Sequence, residues 1–533
     1  MMTPRSVLEK VRYLSKASSG WLAPWVPFSL VAAMVFFPLS ALWLKAFSRP
    51  LRDIGGFVAA SSFVAALLDT LLVCGVASVV ALCASFPQAW VVSTANFRHR
   101  FLADFLALLP LLLAPYMAAG AWAGLDWGDW FRGRIPMGCE IGFSCAPWCY
   151  AAVRVACARL PSSMGELARS CGLGWTERVR KVWLPALSAP LAACALFAVA
   201  RAFGDYGTAE RNAVRTIGVS FHDVWAGTRE AQVAALLTLL CALPAFLAIW
   251  SARKAASGSR TMGGQAVGFP FNTSSPLIGW KVRLFWGWVL ACALAGFILP
   301  EARYVAWAVA GSWMPVGKAI KAAWEAFSGA AAIGLGLGAI GALGVLMFRP
   351  SIRAGMPEKL SWVVAANLFL PPMGLALAWI FATADGSMLH VALGKLRSGR
   401  GVLWMAQAFK LAPFALLPVL DVLTRERGSL RELARSAGFS WVGAGVLALR
   451  VAAPAVGFGA LLAFMEALKE LELALTLQPF GYATPAIRIH ALARFHSEEA
   501  IASWMAVCQL LMLPGVAALA LWLGKLRREP ARG

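Results

Sequence analysis

Among the ionisable residues that interrupt or border apolar stretches of this chain, six are the side chains best placed to do chemistry. They are Asp69, Arg201, Asp205, Glu466, Lys469 and Glu470. A charged side chain inside a membrane costs roughly 2.5–3.5 kcal/mol or more, so it faces protein or a water-filled path. Lys469 follows Glu466 by three residues, which places both on one helical face and predicts an ion pair. The six are candidates for a translocation path or gate, or for salt bridges that only pack helices together.

No nucleophile, metal site or nucleotide site is predicted. The cysteine cluster at Cys139, Cys145 and Cys149 has neither the spacing nor the histidines of a zinc site, so it indicates packing. Residues 336–341 match the GxGxxG pattern inside an apolar segment, which predicts close helix packing instead of dinucleotide binding. Residues 311–318, GSWMPVGK, are spaced one residue too far apart for a phosphate loop. We therefore predict that the chain is not an enzyme and holds no cofactor.

Composition places the chain in a membrane. It is 60% hydrophobic and 14% charged, with a mean hydropathy of +0.69. Crossing a hydrocarbon core of ~30 Å takes roughly 20 apolar residues as a helix, since only a helix satisfies its own backbone there. The sequence predicts an all-α polytopic membrane protein with about twelve transmembrane helices. The predicted segments are 24–46, 64–92, 101–125, 137–158, 186–204, 230–251, 284–303, 322–348, 360–384, 401–423, 452–468 and 499–523.

The net charge of +22 has a topological explanation. Lys and Arg gather in alternate loops, as the positive-inside rule expects for the cytoplasmic side of a membrane. This placement predicts that both termini are cytoplasmic and that the basic residues orient the chain in membrane lipid. It also argues against nucleic acid as a partner.

A ten-residue phrase occurs twice. Residues 166–175 read ELARSCGLGW and residues 432–441 read ELARSAGFSW, with seven of ten positions identical. Pro115 and Trp122 recur at the same spacing as Pro372 and Trp379. Such internal repetition predicts duplication and fusion of one unit. We predict a first lobe at 1–251, a cytoplasmic linker at 252–283 and a second lobe at 284–533.

Each phrase predicts a short surface helix, a turn and a second helix that returns to the membrane. Glu166 and Glu432 begin the two copies, where a carboxylate suits the positive end of a helix. Gly172 and Gly438 lie six residues later, where a helix can end in a left-handed conformation. The alternative is an amphipathic loop lying along the lipid interface.

The first phrase, together with the residues up to position 185, resembles the EAA loop of ABC importer permeases. The residues that carry the resemblance are Glu166, Ala168, Gly172, Leu184 and Pro185, and in the second copy Glu432, Ala434 and Gly438. The strings RAFGDYGTAE at 201–210 and KELELALTLQPFGYATPA at 469–486 are similar to the fused, two-lobed permeases of the ferric-iron type. The chain departs from the pattern at Leu167 and Leu433, and it has Arg450 and Val451 where the first copy has Leu184 and Pro185.

The resemblance implies a type I ABC importer fold in a bacterial inner membrane. Each EAA loop would form a coupling helix in a cleft of a homodimeric ABC ATPase, which binds ATP and Mg itself. A periplasmic or extracellular solute-binding protein would deliver the cargo, with ferric iron expected first and thiamine, polyamine or phosphonate as alternatives.

Two other functions stay open. An ATP-independent secondary transporter also often has about twelve helices in two halves, and it would carry coupling-ion carboxylates within the membrane. A structural or assembly protein of the membrane is the third possibility, but it would not explain a duplicated docking phrase.

Overall fold

The computed structural model describes most of both predicted lobes. The described residues are 39–47, 63–124, 128–158, 160, 164, 167–168, 170–225, 232–239, 275–276, 279–310, 316–347, 356–384, 400–426, 430, 432–433, 436–494 and 498–525. The predicted linker at 252–283 falls largely outside these residues, as do most of the predicted segments 24–46 and 230–251.

Helices make up nearly all of the described structure. Those of the first lobe are α1 (Phe63–Thr94), α2 (Arg100–Leu108), α3 (Pro115–Ala123), α4 (Arg134–Ala158), α5 (Trp175–Arg178), α6 (Leu184–Phe203), α7 (Gly207–Arg211) and α8 (Ile217–Asp223). Those of the second lobe are α9 (Trp280–Ala293), α10 (Leu299–Ala310), α11 (Val316–Met347), α12 (Met356–Ala366), α13 (Pro372–Ala382), α14 (Arg400–Arg425), α15 (Trp441–Lys469), α16 (Glu472–Leu477), α17 (Pro485–Arg494) and α18 (Glu498–Lys525). Residues 39–46 and 232–239 are also helical. Two short strands, β1 (Ala95–Asn96) and β2 (Ser275–Pro276), pair in parallel.

Eight helices in the described part of the chain are long and apolar enough to cross a membrane. The chain is therefore an all-α polytopic membrane protein. Eight predicted segments each fall on one of these helices, including 186–204 and 452–468, which belong to the longer helices Thr176–Phe203 and Val442–Lys469. The total of about twelve stays a prediction.

The surface of α1 shows how these helices meet lipid. Val64, Leu68, Leu71 and Leu72 are each 45–62% exposed and recur at helical spacing on one face. An exposed apolar stripe of this kind marks an interaction surface, which for a membrane-spanning helix is the hydrocarbon of the bilayer.

Two predicted spans are broken instead of straight. The helices within the predicted segment 101–125 bend by 83° between Leu112 and Pro115. The predicted segment 360–384 divides into α12, a 3-10 turn at Asn367–Phe369 and α13. Both breaks precede prolines, which lack the N–H that would continue the helix.

The two lobes repeat one packing order. In the first lobe α1, α4 and α6 pack on one another, and in the second lobe α11, α14 and α15 do the same. Each lobe then has its proline-broken segment, in which α3 begins at Pro115 and α13 begins at Pro372.

The end helices of each lobe pack on the other lobe. Helix α18 packs on α2, and α10 packs on α3. In the opposite direction, Thr238 of the first lobe lies against Gly374 of α13. Leu42 shares a buried cluster with Leu377, also on α13. These exchanged contacts make the two lobes one interlocked unit.

Part of the glycine-rich surface of α11, which includes the predicted packing segment 336–341, is a close helix contact. A Cβ atom added at Gly334 would lie 2.7 Å from the backbone oxygen of Ala460 on α15, and one at Gly338 would lie 3.0 Å from Ala460 Cβ. A Cβ atom added at Gly336 would meet nothing within 4 Å. The backbone approach of α15 therefore requires glycine at Gly334 but leaves room at Gly336.

These two glycines form a matched pair for a stability test. Gly334→Ala is expected to destabilise the protein by about 1–3 kcal/mol through overpacking. Gly336→Ala is expected to stabilise it by about 0.5–1 kcal/mol, since alanine loses less conformational entropy in a helix. Thermal unfolding of the purified protein in detergent measures both. An equal effect of the two substitutions would contradict this packing arrangement.

Candidate functional site

Both repeated phrases form one helical turn that ends at a left-handed glycine. In the first copy the amide of Cys171 donates to Leu167 O at 3.0 Å, and the amide of Leu173 donates to Ala168 O at 3.1 Å. Gly172 has a φ of 73°, so the turn closes as helix C-termini commonly do. In the second copy Gly438 has a φ of 62°. A Cβ atom added at either glycine would meet nothing within 4 Å, so the backbone conformation alone explains the residue type.

The same side chain points outward from each turn. Leu167 is 67% exposed and Leu433 is 52% exposed, while Ala168 packs inward at 5%. Glu432 is also exposed. Glu166 and Ala434 lie outside the described residues. Each phrase thus presents an accessible leucine at the same place in the repeat.

The helices after the two phrases begin differently. In the first copy α5 leads through a π-helical turn at Val179–Trp183 into α6, whose first residues, Leu184 and Pro185, are exposed. Pro185 cannot donate the hydrogen bond that an α-helix would require, which accounts for the wider turn before it.

In the second copy α15 is a continuous helix from Trp441, and Arg450 and Val451 lie within it. Its start is capped by Ser440, whose side chain accepts from the amide of Gly443 at 3.3 Å. Where the first copy has Leu184 and Pro185 after a π-helical turn, the second copy therefore has Arg450 and Val451 within an uninterrupted helix.

The far ends of α6 and α15 meet in a buried ion-pair cluster. Arg201 of α6 lies 3.8 Å from Glu466 of α15, and Lys469 lies 2.6 Å from the same carboxylate. Glu466 and Lys469 are buried, so the pair that their spacing predicts is present inside the protein. The contact of Arg201 joins the two lobes.

Two further carboxylates cap the short helices beyond this cluster. Asp205 Oδ1 accepts from the amide of Thr208 at 2.7 Å, at the start of α7. Glu470 accepts from the amides of Leu473 and Ala474 at 2.9 and 3.2 Å, at the start of α16. These carboxylates satisfy amides that would otherwise lack partners at the helix ends. Asp205 and Glu470 each cap the short helix that follows the long helix of their own lobe.

Asp205 and Glu470 lie just past the ends of the candidate spans. Burial, together with the neighbouring Glu472 carboxylate, raises the pKa of Asp205 and of Glu470 to about 7. Burial therefore favours the protonated form of both carboxyl groups relative to carboxyl groups in water.

Backbone segments of the two lobes come into close contact around these caps. A Cβ atom added at Gly204 would lie 2.6 Å from Pro372 Cδ, and one at Gly207 would lie 2.8 Å from Leu471 Cδ2. The proline break of the second lobe therefore rests directly on the turn between α6 and α7. Glycine permits this approach.

Lys410 and Gln407 of α14 also belong to the cluster, although they were not among the predicted site residues. Lys410 is buried and donates to Leu370 O at 2.6 Å, beside the proline break. Gln407 donates to Glu470 at 3.4 Å. Lys410 lies within the predicted apolar segment 401–423, so its charge could have identified it as a candidate site residue from the sequence.

Asp69 does not join the cluster. Its carboxylate lies 3.1 Å from Arg134 Nε, between α1 and α4 of the first lobe. The structure thus brings together five of the six predicted charged residues.

The described residues contain no group of three or more His, Cys, Asp or Glu side chains arranged to hold a metal ion. Comparison with protein-family models, with curated proteins and with solved structures finds no match to this chain.

The geometry connects the repeated phrases to the cluster. Helix α15 has 29 residues, about 43 Å at the rise of an α-helix, and runs from the second phrase to Lys469. The helical stretch Thr176–Phe203 has 28 residues and runs from the first phrase to the residues before Asp205. Each exposed turn is therefore joined to the contact between the lobes by one long helical stretch.

Proposed function

We propose that this chain is the transmembrane permease subunit of an ATP-binding-cassette importer, with ATP hydrolysis in a separate partner. One observation carries the proposal. The same phrase occupies an exposed turn in both lobes, and each turn leads into a helix that ends at the buried charged cluster between them.

In this proposal the two turns are coupling helices on the cytoplasmic side of a bacterial inner membrane. Both termini of the chain lie on the same side. They dock on a homodimeric ABC ATPase, where Glu166 and Glu432 meet basic groups and the exposed Leu167 and Leu433 supply apolar contact. Closure of the ATPase around ATP and Mg moves the turns, and the long helices carry that movement to the cluster. About twelve helices in a type I importer arrangement would form the translocation path. Because the end helices are exchanged between the lobes, the two lobes would move together.

The cluster would act as the gate. The contact between Arg201 and Glu466 and the capped carboxylates Asp205 and Glu470 close the interface between the lobes at the ends of the long helices. Separation of α6 from α15 would break the inter-lobe ion pair and open a polar surface.

Ferric iron is the proposed cargo, with thiamine, polyamine and phosphonate as alternatives. The basis is the likeness of 201–210 and 469–486 to the iron-type permeases, and these two strings contain Arg201, Asp205, Lys469 and Glu470. A periplasmic or extracellular binding protein would deliver the cargo. The ligand that co-purifies with that protein identifies the cargo directly.

Co-purification tests the proposed partner. The tagged chain, extracted in mild detergent from its native membrane, is expected to bring down an ABC ATPase at about two copies per chain. Quantitative mass spectrometry of the complex measures this ratio. Absence of any nucleotide-binding protein would reject the permease function.

A proton-coupled secondary transporter is the second candidate, favoured by the buried carboxyl groups of Asp205 and Glu470. Their pKa values near 7 suit reversible protonation during transport. Uptake into sealed vesicles without ATP, driven by a proton gradient, would favour this function over the importer.

A further inference from the structure

A cavity lies between the lobes, near the ends of the long helices that are remote from the repeated phrases. It is a partly open cavity of about 150 Å³ lined by α3 and the end of α7 from the first lobe, and by α10, α17 and α18 from the second. A single water molecule needs roughly 10–15 Å³ of such space, so the cavity can hold a larger group. None of the proposed coupling residues lines it.

Three of the residues that line this cavity carry buried polar atoms without hydrogen-bond partners. The hydroxyl group of Tyr116, the indole Nε1 of Trp307 and both ring nitrogens of His490 make no hydrogen bond with the described residues. All three side chains are at least nine-tenths buried. Buried polar groups almost always have a partner, so three such groups around one cavity indicate a ligand or ordered water.

Two guanidinium groups add positive charge. Arg132 and Arg211 line the cavity, and among the described residues neither forms an ion pair. A guanidinium group has five N–H donors and no acceptor, in a geometry that matches carboxylate and phosphate.

The nearby acidic residues Glu210 and Glu301 do not line the cavity. Glu210 pairs with Arg494, and its other oxygen lies 3.4 Å from His490 Nε2 without the alignment of a hydrogen bond. Glu301 accepts from Gln509 at 2.6 Å. No Asp or Glu is among the described residues that line the cavity. Its surface therefore offers donors and positive charge but lacks a counter-anion.

We propose that this cavity binds a compact oxyanion, a phosphate or carboxylate group, held by Arg132 and Arg211 between the two lobes. Charge-assisted hydrogen bonds from guanidinium to oxyanions are the strong ones in proteins, and partial enclosure strengthens them. Tyr116 of α3 and Trp307 of α10 line the cavity from opposite lobes, so an anion bound there lies between α3 and α10. The anion thereby stabilises the arrangement in which the lobes are closed at this end. The assignment does not depend on the proposed ATPase partner.

Inorganic phosphate is the probe. The purified full-length chain, in a zwitterionic detergent and without any partner, is expected to bind phosphate at one saturable site by equilibrium dialysis. Arg211→Gln is expected to weaken binding at least about tenfold, since it removes a charge-assisted contact. Arg132→Gln should weaken it similarly. Arg215→Gln is the matched control, because Arg215 is exposed four residues further along the chain and does not line the cavity.

Thermal unfolding gives a second readout. Phosphate should raise the unfolding temperature of the native chain and of Arg215→Gln, but not that of the Arg132→Gln and Arg211→Gln double variant. Absence of saturable binding, or equal weakening by Arg215→Gln, would overturn the proposal.

Competition between phosphatidylglycerol and free phosphate identifies the source of the oxyanion. If phosphatidylglycerol in nanodiscs displaces free phosphate from the native chain, the natural ligand is a lipid headgroup; if it does not, the ligand is a soluble anion. Both outcomes require the saturable, arginine-dependent site that the proposal states. Failure of this site would leave the ATPase co-purification result unaffected, so the two proposals are tested separately.

Discussion

Charge reversal at both Glu166 and Glu432 is expected to reduce uptake to the background level while the protein still inserts in the membrane. Each glutamate begins a repeated phrase, and Glu432 is exposed, so the Glu432 side chain is not needed to pack the core. A lysine in place of the glutamate would meet basic groups of the proposed ATPase with like charge. Like charges placed together at an interface cost several kcal/mol, which is enough to prevent docking.

The measurement is uptake in cells that lack the native chain, with membrane abundance determined by immunoblot. The ATPase recovered on co-purification should fall in parallel with uptake. Glu177→Lys is the matched control. Glu177 is exposed and lies just after the first phrase, where its solvent-screened surface pair with Lys181 contributes little to stability. Normal uptake by the doubly reversed variant would reject the coupling role.

Glu466→Gln is expected to lower the free energy of unfolding by about 3–5 kcal/mol, the usual effect of removing one partner from a buried ion pair. Glutamine has nearly the same shape, so the loss comes from charge. Lys469, which lies 2.6 Å from the carboxylate, would remain buried without its partner. Arg201, across the interface between the lobes, would lose its only ion pair with a carboxylate among the described residues.

Asp69→Asn provides the control for this second prediction. Asp69 also pairs with an arginine, but the Arg134 side chain is 58% exposed, so the expected change is about 0–1 kcal/mol. The double variant Glu466→Gln and Lys469→Gln should recover part of the stability, because it removes the unpaired ammonium group. Chemical unfolding in detergent measures all three variants. Equal destabilisation by Glu466→Gln and Asp69→Asn would show that the cluster is not held by buried charge.

The membrane-spanning helices could be predicted from the sequence because each depends on the hydrophobicity of residues that are consecutive in the chain. An apolar run of about 20 residues has one stable form in a bilayer, whatever its neighbours. The broken segments were less accessible. Pro115 and Pro372 were recognised as a repeat, but a proline within an apolar run can either kink a helix or end it. Packing of α3 and α13 at the interface of the lobes selects the broken form.

The candidate site was partly accessible for the same reason. The ion pair of Glu466 with Lys469 arises from a spacing of three residues, which any helix brings together. The contact with Arg201 has no such local origin, because it joins two lobes that are remote in sequence. Asp69 had the same signal as Arg201, a charge near an apolar segment, yet it pairs within its own lobe. Only the packing of helices separates these two cases.

The sequence by itself determined that this is an all-α polytopic membrane protein and that one phrase is repeated, and it predicted a turn at Gly172 and Gly438. These properties depend on hydrophobic runs, identity and local backbone preference, all of which are carried by residues close together in the chain. The tertiary structure decided that the end helices are exchanged between lobes and that Asp205 and Glu470 cap α7 and α16. It also placed Arg132 and Arg211 at one cavity. These contacts arise when helices far apart in sequence are pressed together, and no local pattern of residues encodes which surfaces will meet.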